Sequence, residues 1–340
     1  MKGWMQGDGP QSDIILSSRI RLARNIADIP FPSGLDDERA DAVISKVRNS
    51  ILKSESALKF KDYIMQELPP IERQYLVERH LVSPGLLKSS AKGAALISSD
   101  GIVSIMVNEE DHIRIQTILS GLQIKKSWEM ASSIDDILEQ SIEYAYSENW
   151  GYLTSCPTNV GTGMRASVMM HLPALNITGN MSKILQAVAH IGLTIRGLYG
   201  EGTEIVGNIF QVSNQITLGR AEEEIVENLT AVARQIIDKE KEARQILLES
   251  NRIQIEDKIW RSWGIMKNAR VMNSLECMKL LSDMRLGVDL NIIKDTPVQL
   301  LNEIMIETQT ASIQRSSGRE LNPGERDVIR AEIVRNKLNS

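Results

Sequence analysis

The sequence predicts an α+β protein. A catalytic-sized domain with a central antiparallel sheet flanked by helices occupies residues 1–255, and an all-helical domain occupies residues 256–340. Three observations lead there. Strand-like runs are spread along the first two thirds of the chain, and two of them, within residues 94–118, meet at a Ser-Asp-Gly turn, the signature of antiparallel pairing. Amphipathic patterns of helical period lie between the runs. Beyond about residue 255 only helical patterns continue.

In chain order, DIILSSRIRLARNI (13–26) alternates apolar and polar from Ile20 to Ala23, the period of a strand. Residues 36–53 and 71–81 read as amphipathic helices. AALISSDGIVSIMVNEEDHIRIQTI (94–118) reads as a hairpin of two β-rich runs, and 127–147 as a helix holding Asp135 and Asp136 amid apolar spacing. A short helix is expected over 181–191, then strands in LTIRGLY and NIFQVSNQITL. The segment 221–249 is a long helix. Its acidic first turn, Glu222 to Glu224, suits the positive end of the helix dipole, and Ile225, Leu229, Val232 and Ile236 form its apolar stripe. SSGRELNPGER (316–326) reads as a polar loop before a last helix.

Composition narrows the function. The 340 residues carry a net charge of −5, so there is no global basic footprint for nucleic acid. No apolar run approaches the ~18 residues of a membrane span, and the N-terminus lacks the pattern of a signal peptide. Two cysteines, Cys156 and Cys277, make no disulfide framework, which suits a cytoplasmic protein. The four histidines, His80, His112, His171 and His190, never fall at metal-binding spacing, so no dedicated metal site is expected.

TSCPTNVGTGMRAS (154–167) poses the functional question: nucleotide loop, thiol site, or turn. GTGMRA fits G-x-G-x-x-A only weakly, because the dinucleotide fingerprint needs an acid about 20 positions on and none exists between Gly151 and Gly200. A Walker A loop and the HRD and DFG elements of eukaryotic-type kinases are missing too. With 44 acids in 340 residues, that acid-free window should hold about six. It is either buried core or a place kept clear of charges that repel a polyphosphate. Arg19 and Arg21, two apart, share one face of a strand, and Arg114 shares a face with His112, Gln116 and Glu110. Arg196 sits in another strand, and Arg165 beside the glycines. One such arginine is usually a solvated sheet residue. Five favour a phosphate clamp, since guanidinium forks bind phosphate oxygens and keep their charge when desolvated.

CPTNVGTG, with SSRIRLARN, NEEDHIRIQ and RGLYGEG in this order, resembles the phosphagen (guanidino) kinase family over roughly residues 13–250. Within it, the chain is similar to the bacterial branch whose substrates are arginine side chains of proteins. Small-guanidine kinases carry an N-terminal helical domain, whereas here only sixteen residues precede Ser17 and a helical C-terminal domain is added. RDVIRA (326–331) matches that branch's phosphoarginine-binding RDxxRA motif, which places Arg326, Asp327, Arg330 and Ala331 in an allosteric pocket. Spacing alone favours an ordinary salt-bridged surface helix, and only the resemblance raises the pocket above it.

The resemblance implies transfer of the ATP γ-phosphate to protein arginines, with magnesium bound through the phosphates. It assigns nucleotide contacts to Ser17, Ser18, Arg19, Ile20 and Arg21, to His80 and Arg114, to Arg165, Ala166, Ser167, Val168 and Met169, and to Arg196, Gly197, Leu198, Tyr199 and Gly200. Glu110 and Glu201 match the carboxylates that hold the guanidinium, and Cys156 lies beside it, tuning it electrostatically without covalent attack. A guanidinium is a poor nucleophile until a base takes its proton, so paired carboxylates make chemical sense. The partners implied are proteins with exposed arginines, a McsA-type activator, a Clp ATPase, a heat-shock repressor, and a second copy of the chain. Two other readings stand beside this one: a kinase of a small free guanidine, and a non-catalytic phosphoarginine-binding scaffold.

Overall fold

The structure, a computed structural model of the chain, describes residues 3–53, 58–89, 92–197 and 206–339. The catalytic region runs β1 (Ile15–Arg24), α1 (Asp37–Lys53), β2 (Phe60–Ile64), α2 (Pro70–Glu78), α3 (Pro84–Lys88), β3 (Ala94–Ser98), β4 (Val103–Val107) and β5 (Ile113–Ser120). It continues with α4 (Ile124–Glu139), the two-residue strands β6 (Tyr146–Ser147) and β7 (Gly151–Tyr152), β8 (Met164–His171), α5 (Pro173–Ile177), α6 (Met181–His190), β9 (Leu193–Gly197), β10 (Ile209–Asn214) and α7 (Glu222–Ser250). The rest is helical: α8 (Arg252–Asn268), α9 (Ser274–Asp289), α10 (Val298–Glu307), α11 (Thr310–Ser317) and α12 (Pro323–Asn339).

Among the described residues, eight strands pair antiparallel in the order β2-β3-β4-β5-β1-β8-β10-β9. Strand alternation sorts the two faces. Ile20, Leu22, Ile115, Ala166, Val168 and Val212 point to one side and pack under α4 and α7 in the main core. Each of the isoleucine, leucine and valine side chains stabilises the fold by roughly 1.5–3 kcal/mol when fully buried. The opposite face carries the arginines at its centre. Toward the β2 edge, α2 and α3 close that face over a second cluster of Leu76, Leu81, Val82, Leu86, Ile97 and Met106.

Three sequence expectations change. The second run of the 94–118 hairpin is two strands, β4 and β5, joined by a tight turn. Asn108 there adopts a left-handed φ of 57°, which asparagine tolerates, and its amide donates to the His112 carbonyl at 2.9 Å. The turn contains neither glycine nor proline, so the pattern looked continuous. The helix expected to 147 stops at Glu139, and residues 146–147 are β6. The expected polar loop 316–326 shrinks to 318–322, because α11 extends to Ser317 and Gly318 closes it in the left-handed conformation, φ 65°.

The helical region is bonded onto the catalytic one. Arg285 of α9 donates to the Ser12 carbonyl at 2.6 Å and to Asn302 at 2.7 Å. Glu78 of α2 accepts the amides of Ala311 and Ser312 at 2.7 and 2.8 Å, capping α11 from another helix. Cys277 of α9 is fully buried. No helix among the described residues is long and apolar enough to cross a membrane.

Candidate active site

The register of the central strands gathers the arginines. Arg21 of β1 lies opposite Arg165 of β8 and Gln116 of β5, Arg19 opposite Ser167, Ala23 opposite Arg114, and Arg196 of β9 opposite Gln211 of β10. Arg19, Arg21, Arg165 and Arg196 line one cleft of about 430 Å³, with His80 and Ser83 on its α2–α3 side and Met305, Ile306 and Gln309 of the helical region closing it. A smaller cavity of about 170 Å³ adjoins it. There Arg21, Arg114 and Arg165 meet Glu110, Cys156 and Gly163.

The cations in the cleft are crowded. Burial, then the Arg165 and Arg114 charges, push Arg19 down to about 10. Burial, then Arg19, Arg114 and Arg165, pull Arg21 well below the ordinary arginine range, and its buried Nε has no hydrogen-bond partner. Arg19 itself rests on neutral groups, with Nη2 donating to Gln211 at 2.9 Å. Dry cations repelling one another are stabilised by a bound polyanion, and guanidinium forks suit phosphate oxygens. His80 has a left-handed φ of 58° and meets Trp4 edge to face at 5.5 Å. Burial, then Arg19, hold its imidazole down at about 4, so it is neutral at pH 7.

Arg114 is neutralised locally. It forms ion pairs with Glu109 and, at 3.0 Å, with Glu110. Glu109 is buried and also accepts from Ser83 Oγ at 2.6 Å, while Glu110 is exposed toward the smaller cavity. Cys156 is half-buried, its Sγ 3.0 Å from Thr158 Oγ1.

The two glycines of the loop are needed for close approach to protein backbone. Gly161 has φ 107°, and a Cβ there would meet the Thr217 carbonyl at 2.6 Å. Gly163 has φ 63°, and a Cβ would meet the Ala23 carbonyl of β1 at 2.5 Å. They let the loop lie against the ends of the central strands, so that Cys156 and Arg165 face the same space. The opening alternatives thus merge: the turn is real, and it carries both a thiol and a phosphate-seeking arginine.

Alternation also places the other side chains of the expected nucleotide-contact list. The side chains of Ser18, Ile20, Ala166 and Val168 turn to the helical face. Ser18 Oγ donates to the Gly121 carbonyl at 2.8 Å, and the other three are fully buried in the core. Ser17, Ser167 and Met169 share the arginine face but are buried in it, and Gly197 lines the cleft. His112 was expected beside Arg114. Instead it lies outside β5, donating from Nε2 to the Pro30 carbonyl at 2.9 Å and accepting the Ile26 amide at Nδ1. His171 is buried against Ser282 at 2.8 Å, so it offers Cys156 no base. Leu198, Tyr199, Gly200 and Glu201 lie outside the described residues.

In the RDVIRA motif, Arg330 and Ala331 are buried in α12. Arg330 donates to the Thr308 and Met272 carbonyls, both at 2.9 Å, and pairs with Asp327 at 2.5 Å. Arg326 donates to the Leu321 carbonyl at 2.7 Å.

Sequence reasoning missed Asp111. This fully buried carboxylate accepts from Asn25 Nδ2 and from the Ser155 amide, each at 2.7 Å, joining the Glu110 turn to the Cys156 loop. It also missed the α10–α11 residues on the cleft wall.

Among the described residues no three or more His, Cys, Asp or Glu side chains cluster as metal ligands. The cleft's donors are mainly cationic, which fits a metal that arrives on a polyphosphate rather than one held by the protein alone.

A buried arginine cluster beside a carboxylate and a thiol, on an antiparallel sheet, defines a phosphoryltransferase site of the guanidino type. A family model described as ATP:guanido phosphotransferase, C-terminal catalytic domain, matches residues 42–243, and another described as protein-arginine kinase McsB C-terminal domain matches residues 252–340. Curated relatives extend along the whole chain. A protein-arginine kinase of Pelotomaculum thermopropionicum is 51% identical over 338 residues, covering 98% of this chain and 95% of its own. One from Caldanaerobacter subterraneus subsp. tengcongensis is 53% identical over 329 residues, covering 96% and 97%. The chain belongs to the ATP:guanido phosphotransferase family, in its group of protein-arginine kinases. Solved structures share the fold at 24% identity. A duplicated taurocyamine kinase from Schistosoma mansoni superposes with a TM-score of 0.61 over 72% of this chain, which spans 36% of that one. A lombricine kinase gives 0.61 over 72%, spanning 69% of its length.

Proposed function

We propose that this chain transfers the γ-phosphate of ATP to arginine side chains of proteins. The observation that carries the reading is the pair of adjoining cavities. One is lined by four arginines, and the other brings Glu110 and Cys156 together with three arginines. Arg19, Arg21, Arg165 and Arg196 grip the phosphates and neutralise charge that develops during transfer. His80, neutral, borders the base. Magnesium, travelling with the nucleotide, screens the phosphate oxygens. Glu110 orients the incoming guanidinium fork and takes its proton as the nitrogen attacks. Glu201 is proposed as the second carboxylate. The thiol end of the loop lies beside the guanidinium, and its cavity holds no histidine among the described lining residues.

The wider roles belong to the same reading. The modified arginines mark proteins for a Clp-type protease, one target is a heat-shock repressor, a McsA-type protein activates, the chain self-associates in the cytoplasm, and Arg326, Asp327, Arg330 and Ala331 sense phosphoarginine.

The test is acid-labile phosphate transfer from ATP and magnesium to an arginine-rich protein and to free arginine in parallel, with sites mapped at neutral pH. Label on protein arginines alone is the expected result. Label on free arginine overturns it in favour of a small-guanidine kinase.

A further inference from the structure

The β6–β7 hairpin stands beside the guanidinium cavity, and the transfer step makes no use of it. Two large aromatic side chains on it face solvent, Tyr146 at 58% and Trp150 at 57% exposure. Two exposed carboxylates accompany them, Glu148 in the turn and Glu143 just before it.

The hairpin's position is fixed from both sides of the site. The Tyr152 amide donates to the Gly161 carbonyl at 2.8 Å, on the catalytic loop. At its base, the Leu153 amide donates to the Ala145 carbonyl and the Ala145 amide to the Asn25 carbonyl, each at 2.8 Å. Asn25 is the residue bonded to Asp111 beside Glu110. Tyr146 packs edge-on against Tyr152 at 5.3 Å. Only three residues separate Tyr152 from Cys156, so across four Cα-to-Cα steps the two are at most ~14 Å apart even at full extension. A polypeptide with its target arginine in the cavity covers that span with about four extended residues.

We propose that this hairpin docks the segment flanking the target arginine and prefers segments carrying a further cationic side chain. The proposal rests on the protein-arginine kinase reading. Charge complementarity selects the occupant: exposed aromatic faces flanked by carboxylates attract guanidinium and ammonium groups. The same ring system already does so internally, with the Arg24 guanidinium 3.5 Å above the Tyr152 ring.

Two peptides test it, with one shared target arginine flanked on each side by two lysines or by two glutamates. Initial rates are measured for the full chain, for Tyr146→Ala/Trp150→Ala and for Glu148→Lys, with circular dichroism to establish folding. The full chain should show the lower KM for the lysine-flanked peptide. The double variant should raise that KM about tenfold, the scale of one or two exposed cation–π contacts. Its kcat and KM for ATP should stay within about twofold, and Glu148→Lys should shrink the difference between the peptides. Transfer by the native chain with KM values that the variants leave unmoved, or a preference for the glutamate-flanked peptide, overturns the docking role and leaves the kinase reading standing. A native chain inert toward both peptides and toward folded proteins overturns both.

Discussion

Asp111, one residue from Glu110, accepts the backbone amide of Ser155, one residue from Cys156, at 2.7 Å. The same oxygen accepts Asn25 Nδ2 at 2.7 Å. The two sides of the guanidinium cavity are thus held at a fixed separation by one buried carboxylate. Asp111→Ala removes both bonds and leaves an amide without its acceptor, a cost of about 1–3 kcal/mol. A catalytic loop displaced by an ångström loses on the order of 100-fold in rate. The expected outcome is a 10- to 100-fold lower kcat with ATP affinity within about twofold, read by initial rates and calorimetric titration. Asp111→Asn keeps an acceptor oxygen and should recover most of the rate. If Asn and Ala behave alike, Asp111 acts through its charge and not through this geometry.

Glu110 pairs with Arg114 at 3.0 Å, yet the proposed mechanism needs Glu110 for the guanidinium. A polyphosphate competes for Arg114 and releases Glu110. A non-hydrolysable ATP analogue should therefore tighten binding of an arginine peptide, by about 5- to 10-fold for a coupling near 1 kcal/mol. Glu110→Gln should abolish this synergy and lower kcat by at least about 100-fold while retaining nucleotide binding. Titration of peptide with and without analogue gives the answer, and equal affinities would count against the competition. Glu201→Gln should lower kcat in the same way.

The arginine face was legible because strand alternation needs only local sequence. Arg19 and Arg21 had to share a side, and the structure puts Arg165 opposite Arg21. Asp111 was not legible, since its partners Asn25 and Ser155 lie 86 and 44 positions away and nothing local distinguishes it from a surface turn acid. The end of helix α11 was read as part of the polar loop 316–326 for a related reason. Its cap is Glu78, contributed from 233 positions earlier, and its buried residues, Ala311, Ser312 and Ile313, make a short stripe. The glycines marked a tight loop in the sequence, but its close neighbours, the Thr217 and Ala23 backbones, are products of the sheet's topology.

His80 makes stability depend on pH with a defined sign. Its folded-state value is about 4, against an ordinary value of ~6.5 for the unfolded chain. The unfolded chain therefore takes up a proton that the folded protein refuses. This contribution is fully present above about pH 6.5 and is lost as pH falls toward 4. His80→Asn tolerates the left-handed φ of 58° and removes the titration. Denaturant midpoints measured from pH 7 to 4.5 should fall less steeply for His80→Asn than for the native chain, and parallel curves would place the acid sensitivity elsewhere.

Glu78 and Arg330 meet at the α10–α11 corner, which also walls the nucleotide cleft. Arg330 Nε holds the Thr308 carbonyl at 2.9 Å, Gln309 lines the cleft, and Glu78 caps the next residues, Ala311 and Ser312. Burial lifts the Glu78 carboxyl above its ordinary range, against the pull of the Ala311 and Ser312 hydrogen bonds and the Arg330 charge. Removing either side chain frees the corner. Glu78→Ala leaves two helix N-terminal amides uncapped, worth about 1–2 kcal/mol. Arg330→Ala strips two buried carbonyls of their donor and should cost more, about 2–4 kcal/mol. Both variants should lower Tm, and both should raise the KM for ATP about 3- to 10-fold, because Met305, Ile306 and Gln309 no longer close the cleft. A lowered Tm with an unchanged KM for ATP would show that the corner supports the helical region without shaping the nucleotide site. A raised KM in both variants would show that the corner shapes the nucleotide site through Thr308 and its neighbours.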